Sequence, residues 1–294
     1  MSESSELDVT TTEDPCLKMN LGGHKKNITD ISFNPDGKQF ASSSEDHSIM
    51  ISSTSIDYSN DGKLLASSSR DCTVRLWIPT IRGGSTEFKA HTSSVNCISF
   101  SPDNTKIITG SNDKSVKLWD VSRKHFVASF LGHNNWIRCI KFCPEGDMII
   151  SCSDDRTVRV WDANSGQCLH VFTVISGSPN YVSIHRNNNS IAVAMDTGSV
   201  RVYDIRNKKL QQHYTLHDGT TCVSWHPQAN YLLSSGKDGK LRIVDVMEGR
   251  PLYTLSGHEG PISSCKFNTN GDYFASGGVD KCVMVWKTNF ISDE

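Results

Sequence analysis

Three stretches of the chain carry a histidine, a hydroxyl, an aspartate and a tryptophan at fixed spacing: His91, Thr109, Asp113 and Trp119; His133, Ser151, Asp155 and Trp161; and His258, Ser276, Asp280 and Trp286. In each, histidine and aspartate are 22 residues apart and the hydroxyl stands four before the aspartate. A hydroxyl beside an imidazole oriented by a carboxylate is how a nucleophile is activated, so hydrolysis is the chemistry these residues could do. Repetition speaks against it. A reaction centre is needed once, whereas a hydrogen-bonded chain that ties strand to turn is useful in every copy of a repeated unit. Buried polar groups must be paired in any case. The expectation is therefore a structural network from indole N–H through hydroxyl and imidazole to carboxylate, with no catalytic residue. No phosphate-binding loop, H-E-x-x-H or C-x2-C pair occurs, so neither a cofactor nor a metal site is expected.

The elements that must hold these residues come from a repeat. SRDCTVRLW, SNDKSVKLWD, SDDRTVRVWD, MDTGSVRVYD, GKDGKLRIVD and GVDKCVMVW recur, and their last large residue falls at Trp77, Trp119, Trp161, Tyr203, Val244 and Trp286, at intervals of 42, 42, 42, 41 and 42. A second column upstream holds Gly23-His24, Ala90-His91, Gly132-His133, Ile175, Leu216-His217 and Gly257-His258. Between the columns lie short alternating stretches bounded by turn formers such as Asn34-Pro35-Asp36-Gly37. Such alternation reads as short antiparallel strands, about four per unit. A period of roughly 40 to 45 residues with a Gly-His to Trp-Asp signature is the sequence form of a β-propeller blade, so the fold class is an all-β WD40 β-propeller. Cys16 to Leu21 precede the first Gly-His, where an outermost strand belongs, and the last unit stops after Trp286 without one. The two ends should meet in one blade and abolish an open edge.

Two units are degenerate and one is damaged. Around Tyr203 the set reads Ile175, Val193, Thr197 and Tyr203, so polar members are replaced mostly together; the unit ending at Val244 keeps His217, Ser234 and Asp238 without the tryptophan and should be softer. Asp46 to Asp71 is 25 residues where 42 is the rule, which leaves 17 missing. The register places the loss in the outer strand of the first blade, the following Gly-His turn and the start of the second blade's inner strand. Restoring it brings the chain close to seven units. The ring is then nominally seven-bladed with a damaged first or second blade, or a merged six-bladed arrangement, and Asp46 to Ser59 should be its least regular part.

Thirty Lys+Arg against 32 Asp+Glu in 294 residues give a net charge of −2, and basic residues form no stripe, so nucleic acid is not expected as a partner. Nor is a membrane or a small-molecule substrate: no run of about 18 apolar residues exists, and the acidic, polar N-terminus is unlike a secretory signal. Residues 1–15 read as a disordered acidic tail, 16–290 as the propeller and 291–294 as a short tail. A cytoplasmic, reducing location follows as an expectation, with the ten cysteines as buried apolar filler.

The ending RPLYTLSGHEGPISSCKFNTNGDYFASGGVDKCVMVWKTNF, the HNNWIRCIKF strand and KKLQQHYTLH resemble the centriolar WD-repeat family named for the proteome of the centriole, over about Leu17 to Phe290. The resemblance implies a non-enzymatic scaffold of centrioles and basal bodies, supporting centriole assembly and stability and cilium formation. Its partners would be centriolar or microtubule-associated proteins, and its location the centrosome, centriole and cilium basal body. The chain resembles a short form, without that family's C-terminal coiled coil.

Propellers bind partners on the rim near the channel, formed by residues just after the Gly-His turn and just before the repeated aspartate. Those positions hold Asn27, Ser94, Trp136, Thr220 and Pro261 in one set, and Glu45, Arg70, Asn112, Asp154, Lys237 and Val279 in the other. Trp136, Arg138, Arg70, Asp154 and Lys237 are the candidate partner-binding residues, with Trp136 and Arg138 foremost as anchor types. Tyr203-Asp204-Ile205-Arg206 also resembles the W-D-x-R box of substrate-receptor propellers of cullin-RING ubiquitin ligases, which is the alternative function.

Overall fold

The computed structural model describes residues 15–46, 53–80, 83–228 and 230–288. The expected 1–15 and 291–294 tails thus lie almost wholly outside the described residues. Blade I consists of β1's successors β2 and β3 once β1 (Cys16–Gly22) is set aside: β2 is Ile28–Phe33 and β3 is Phe40–Ser44. Blade II is β4 (Ser53–Tyr58), β5 (Leu65–Ser69), β6 (Thr73–Trp77) and β7 (Ser85–Lys89). Blade III is β8 (Val95–Phe100), β9 (Lys106–Ser111), β10 (Val116–Asp120) and β11 (Phe126–Phe130). Blade IV is β12 (Ile137–Phe142), β13 (Met148–Ser153), β14 (Thr157–Asp162) and β15 (Cys168–Thr173). Blade V is β16 (Pro179–Ile184), β17 (Ser190–Met195), β18 (Ser199–Asp204) and β19 (Lys209–Thr215). Blade VI is β20 (Thr220–Trp225), β21 (Tyr231–Gly236), β22 (Lys240–Asp245) and β23 (Arg250–Ser256). Blade VII is β24 (Ile262–Phe267), β25 (Tyr273–Gly278) and β26 (Cys282–Lys287), completed by β1.

Every pairing is antiparallel, and β1 runs along β26 from Cys16 opposite Lys287 to Gly22 opposite Cys282. The two ends therefore meet in one blade as the sequence implied. The inner strands β2, β4, β8, β12, β16, β20 and β24 each pack beside the next, and β24 returns to β2, so seven inner strands close the ring. Six blades have four strands, and blade I has two among the described residues.

This corrects the expected site of the loss. The inner strand of blade II is complete: β4 pairs in register with β5 from Ser53 opposite Ser69 to Tyr58 opposite Leu65. What blade I lacks, among the described residues, is both outer strands. Residues 47–52 lie outside the described residues, so the expected irregularity is tested only for Ser53–Tyr58, and there the strand pairs as the other inner strands do, with the same register shift after its first residue. An inner strand buries both faces against neighbouring blades and a second strand, so it is the costlier element to lose.

Packing follows the blade order. The tryptophan of each third strand faces the preceding blade: Trp119 sits among Ala66, Val74 and Leu76 of blade II, and Trp286 among Leu233, Leu241 and Ile243 of blade VI. Cys97, Cys139 and Cys222 occupy one position of three inner strands and are 4%, 2% and 0% exposed. Burial pushes the Cys139 thiol up to about 12, which suits inert filler, but the expectation fails for four of the ten: Cys168 is exposed and Cys16, Cys72 and Cys282, at a strand edge or turn, are only partly buried. No cysteine among the described residues is in a disulfide.

Candidate functional site

Each third strand is entered by a tight turn whose penultimate residue has a left-handed backbone: Lys114, Arg156 and Lys281 have φ of 70°, 62° and 68°. The aspartate before it stabilises that turn, since Asp113 Oδ1 accepts the Ser115 N–H at 3.1 Å and Asp155 Oδ1 the Thr157 N–H at 2.9 Å. The other oxygen is then free for the histidine. His91 Nδ1 lies 2.9 Å from Asp113 Oδ2, and its Nε2 2.8 Å from Thr109 Oγ1, which accepts from Trp119 Nε1 at 3.0 Å. In blade IV, His133 lies 2.7 Å from both Asp155 and Ser151, and Trp161 donates to Ser151 at 2.8 Å. In blade VII, His258 lies 2.7 Å from both Asp280 and Ser276, and Trp286 donates to Ser276 at 3.1 Å.

The polarity of each chain is set by its ends. Indole N–H donates to the hydroxyl, the hydroxyl donates to Nε2, and Nδ1–H donates to the carboxylate. Every hydroxyl is committed between two side chains, and Ser151, Thr109 and Ser276 are 0% exposed, which leaves no approach for a substrate carbonyl. Burial opposes ionisation of Asp113 and Asp155, but hydrogen bonds from His91 and Ser115, and from His133 and Thr157, hold both carboxyls well below the usual carboxylate range.

The incomplete units keep parts of this clasp. His24 meets Ser42 at 2.7 Å and Asp46 at 3.2 Å. Trp77 donates to Ser67 at 3.0 Å in the blade that has lost its histidine. In blade VI, Arg242 takes part where the tryptophan is missing, donating to Asp238 at 2.8 Å beside the His217–Asp238 contact of 2.9 Å. In blade V, Asp196 accepts the Ser178 N–H at 2.7 Å, Val193 and Tyr203 are buried, and Ile175 is 93% exposed.

The candidate rim residues fall into two groups. Trp136, Arg138 and Arg70 line a cavity of about 690 Å³ at one mouth of the channel, with Glu45, Asn112, Ser94 and Asn27 beside them. Arg138 lies over the Trp136 ring at 5.7 Å and is held by Asp154 through both carboxylate oxygens, at 2.7 and 2.6 Å. Trp136 remains 46% exposed. Arg70 pairs with Glu45 at 2.8 Å. Lys237 is exposed but lies outside that cavity, and Thr220, expected on the rim, is 0% exposed. Its position opens β20 and points into the blade, one residue earlier than the channel-facing Thr221.

Within the channel the inner strands are joined blade to blade. Asn96, Asn180 and Thr221 each donate to the carbonyl that opens the next inner strand, at 2.7, 2.9 and 2.6 Å. Arg138 holds the same place in β12 and turns instead to Asp154 on the rim. Sequence reading missed four charged residues of this lining: Asp30, Asp57, Lys141 and Lys266. Asp30 accepts from Ser55 at 2.7 Å and the Ile56 N–H at 3.0 Å in blade II, and from Ser264 at 2.9 Å in blade VII. Asp57 accepts from Lys266 at 3.3 Å and the Phe100 N–H at 3.1 Å. Burial opposes the charge of Asp57, yet Lys266 and Lys141 hold its carboxyl below the ordinary range. Burial likewise opposes the charge of Lys141, but the nearby carboxylates of Asp57 and Asp30 raise its pKa. Aligning the inner strands would have singled them out, because Ser99, Ser183 and Ser224 stand where Asp57, Lys141 and Lys266 do, and Cys97, Cys139 and Cys222 where Asp30 does.

Among the described residues no group of three or more histidine, cysteine, aspartate or glutamate side chains could hold a metal ion, and no helix is long and apolar enough to cross a membrane. A closed ring of clasped antiparallel blades with a polar channel mouth defines a propeller of the interaction-module class. The family described as "IFT122 first beta-propeller" matches residues 54–243, and "WD domain, G-beta repeat" matches 15–51 and 249–287. The chain belongs to the WD40-repeat propellers, with a propeller domain of the IFT122 type. Such propellers are in general protein-binding scaffolds without enzymatic activity. Serine-threonine kinase receptor-associated protein of Dictyostelium discoideum is 32% identical over 74 residues, 25% of this chain and 25% of that protein. WD repeat, SAM and U-box domain-containing protein 1 of Gallus gallus is 36% identical over 91 residues, 25% of this chain and 19% of that protein. Cilia- and flagella-associated protein 52 of Homo sapiens is 27% identical over 113 residues, 38% of this chain and 18% of that protein. The chain thus spans a quarter or less of the length of each of these relatives.

Proposed function

We propose that this propeller is a non-enzymatic interaction scaffold of centrioles and basal bodies, where it supports centriole assembly and stability and cilium formation by holding centriolar or microtubule-associated proteins. The observation that carries the binding role is Trp136: an indole half open to solvent at the channel mouth, stiffened by a guanidinium that Asp154 grips with one hydrogen bond and a second ion-pair contact. A rigid aromatic–arginine pair loses little conformational freedom on binding, which is why such pairs anchor interfaces. The cellular setting rests on the residues that resemble the centriolar WD-repeat family and on the partial likeness to a cilia- and flagella-associated protein.

The test is recruitment in ciliated cells. The tagged chain should concentrate at centrioles and basal bodies, and Trp136→Ala with Arg138→Ala should abolish that enrichment while the purified variant melts within a few degrees of the parent. Undiminished enrichment of the double variant would remove Trp136 from the binding surface. Absence of centriolar enrichment of the parent would overturn the setting.

A further inference from the structure

Among the described residues, the two-stranded blade leaves the outer edge of β3 and the facing walls of blades VII and II uncovered. The floor of this slot is β3, which among the described residues pairs with β2 alone, whereas the second strand of every other blade carries a third strand on its outer edge. One wall is the face of blade VII where Ala275, Val285 and Met19 stand opposite one another across β25, β26 and β1, with Val283 and Leu21 in the next row. The inner part of that face packs on Ile28, Ile31 and Phe33 of β2. The outer part does not: Met19 and Leu21 are 56% and 42% exposed. Phe130 and Phe172, which hold the Leu21 place in blades III and IV, are buried under Trp161 and Tyr203 of the next blade.

The opposite wall tells the same story. Trp77 is only partly buried beside Ala41, Ile56 and Leu65, while Trp119, Trp161 and Trp286 are buried. Next to it, Arg75 pairs with Glu87 through one end of its guanidinium, but its Nε is buried with no hydrogen-bond partner. Both walls and the floor therefore have the form of a blade interior.

The six complete blades indicate what fits: an extended strand with apolar side chains on alternate positions. Neither the 47–52 connection nor the first fourteen residues are well suited to supply it. Six residues separate Asp46 from Ser53, and two strands with their turn need more than about ten. The first fourteen residues hold five acidic and no basic side chains, which suits neither apolar wall. A second ring cannot reach the floor with its own β3, because each β3 lies two strand spacings, about 10 Å, inside the outermost strands β1 and β7. We propose that this slot takes an extended segment of another polypeptide, which pairs with the edge of β3 and lays alternate apolar side chains against Trp77 on one side and Met19 and Leu21 on the other. This surface is separate from the channel mouth and does not rest on the proposed rim.

The probe is a fluorescein-labelled peptide with the sequence of residues 115–121, which fills the corresponding place in blade III. Saturable binding is expected, with slower hydrogen exchange of the β3 amides and a rise in melting temperature as peptide is added. Met19→Asp with Leu21→Asp, two exposed positions, should lower affinity about tenfold or more without changing the melting temperature of the free protein. Trp136→Ala with Arg138→Ala should leave peptide binding unchanged, which separates this surface from the rim. Failure of the peptide to saturate, equal binding of the same residues in scrambled order, or undiminished binding to the Met19 and Leu21 double variant would each overturn the proposal.

Discussion

Asp57 and Lys266 are 209 residues apart in sequence and meet at 3.3 Å across the two-stranded blade. Asp57 belongs to β4 in blade II and Lys266 to β24 in blade VII, and Ser32 of β2 lies between them, 3.3 Å from the ammonium. One step along β2, Asp30 binds hydroxyls of both flanking blades at once. Two carboxylates thus hold the ring together at the blade with the least apolar area. No other inner strand has a carboxylate at these places: the Asp30 place holds serine, cysteine or Tyr181, and the Asp57 place holds serine or lysine.

Removing the Asp30 carboxylate should therefore cost more than removing a typical surface acid. Asp30→Ala leaves Ser55, Ser264 and the Ile56 N–H, all buried, without their acceptor, and about 3 kcal/mol or more of unfolding free energy should be lost. Asp57 keeps its bonds to blade III when Lys266 is replaced, so Lys266→Met should cost only about 1–2 kcal/mol. Urea denaturation of the two variants measures both; a smaller loss for Asp30→Ala than for Lys266→Met would refute the clamp.

The clasps should behave as units. Ser151→Ala removes the acceptor of Trp161 and the donor of His133 in one step and should destabilise the protein by about 2–3 kcal/mol. His133→Ala should cost a similar amount, and the double variant should cost much less than the sum, because the second change removes a partner already lost. Additivity in the double-mutant cycle would mean that the hydroxyl and imidazole stabilise the blade independently.

Acid should weaken the fold in two stages. Burial lowers the pKa values of His185, His226 and His217, though Asp238 partly offsets this for His217. Their unfolded forms take up a proton near pH 6.5, so the stability they contribute is complete above about 6.5 and falls as the pH drops below it. Asp113 and Asp155 have depressed pKa values, so their contribution is present above the unfolded value near 4 and is lost only below it. Melting temperatures between pH 8 and 3 should stay level, then decline from about 6.5, then steepen below about 4. A decline that began only below pH 4 would exclude the histidines as its cause.

Much of this architecture was legible because it repeats. The His–hydroxyl–Asp–Trp sets, the ring and its closure by β1 all follow from columns spaced by 41 or 42 residues. The damaged unit was legible as a loss, but its extent was carried wrongly into the inner strand of blade II. Spacing alone cannot say which of two adjacent elements survives, and a burial argument decides it: β4 packs on both neighbours and β5, whereas the outer strands of blade I would have packed on far less. Asp30 and Lys266 stand out once the inner strands are aligned, but what they hold together, from Ser55 to Ser264, is set by partners on other blades that spacing does not reveal.

Hydrogen exchange should locate the weakest strand. β13 is bonded to β12 on one edge and to β14 on the other, so its amides open only when blade IV opens. Among the described residues β3 is bonded to β2 alone, although Ala41 is buried and Ser43 is tied to Thr29 at 2.8 Å. Local opening of β3 should therefore lie about 2–3 kcal/mol below that of β13, and the amides of Ala41 to Ser44 should exchange on the order of a hundredfold faster than those of Ile149 to Cys152. The amides of β4 should not share this weakness, because its bonds to β5 are complete. Equal protection in β3 and β13 would mean that another strand already covers the edge of β3.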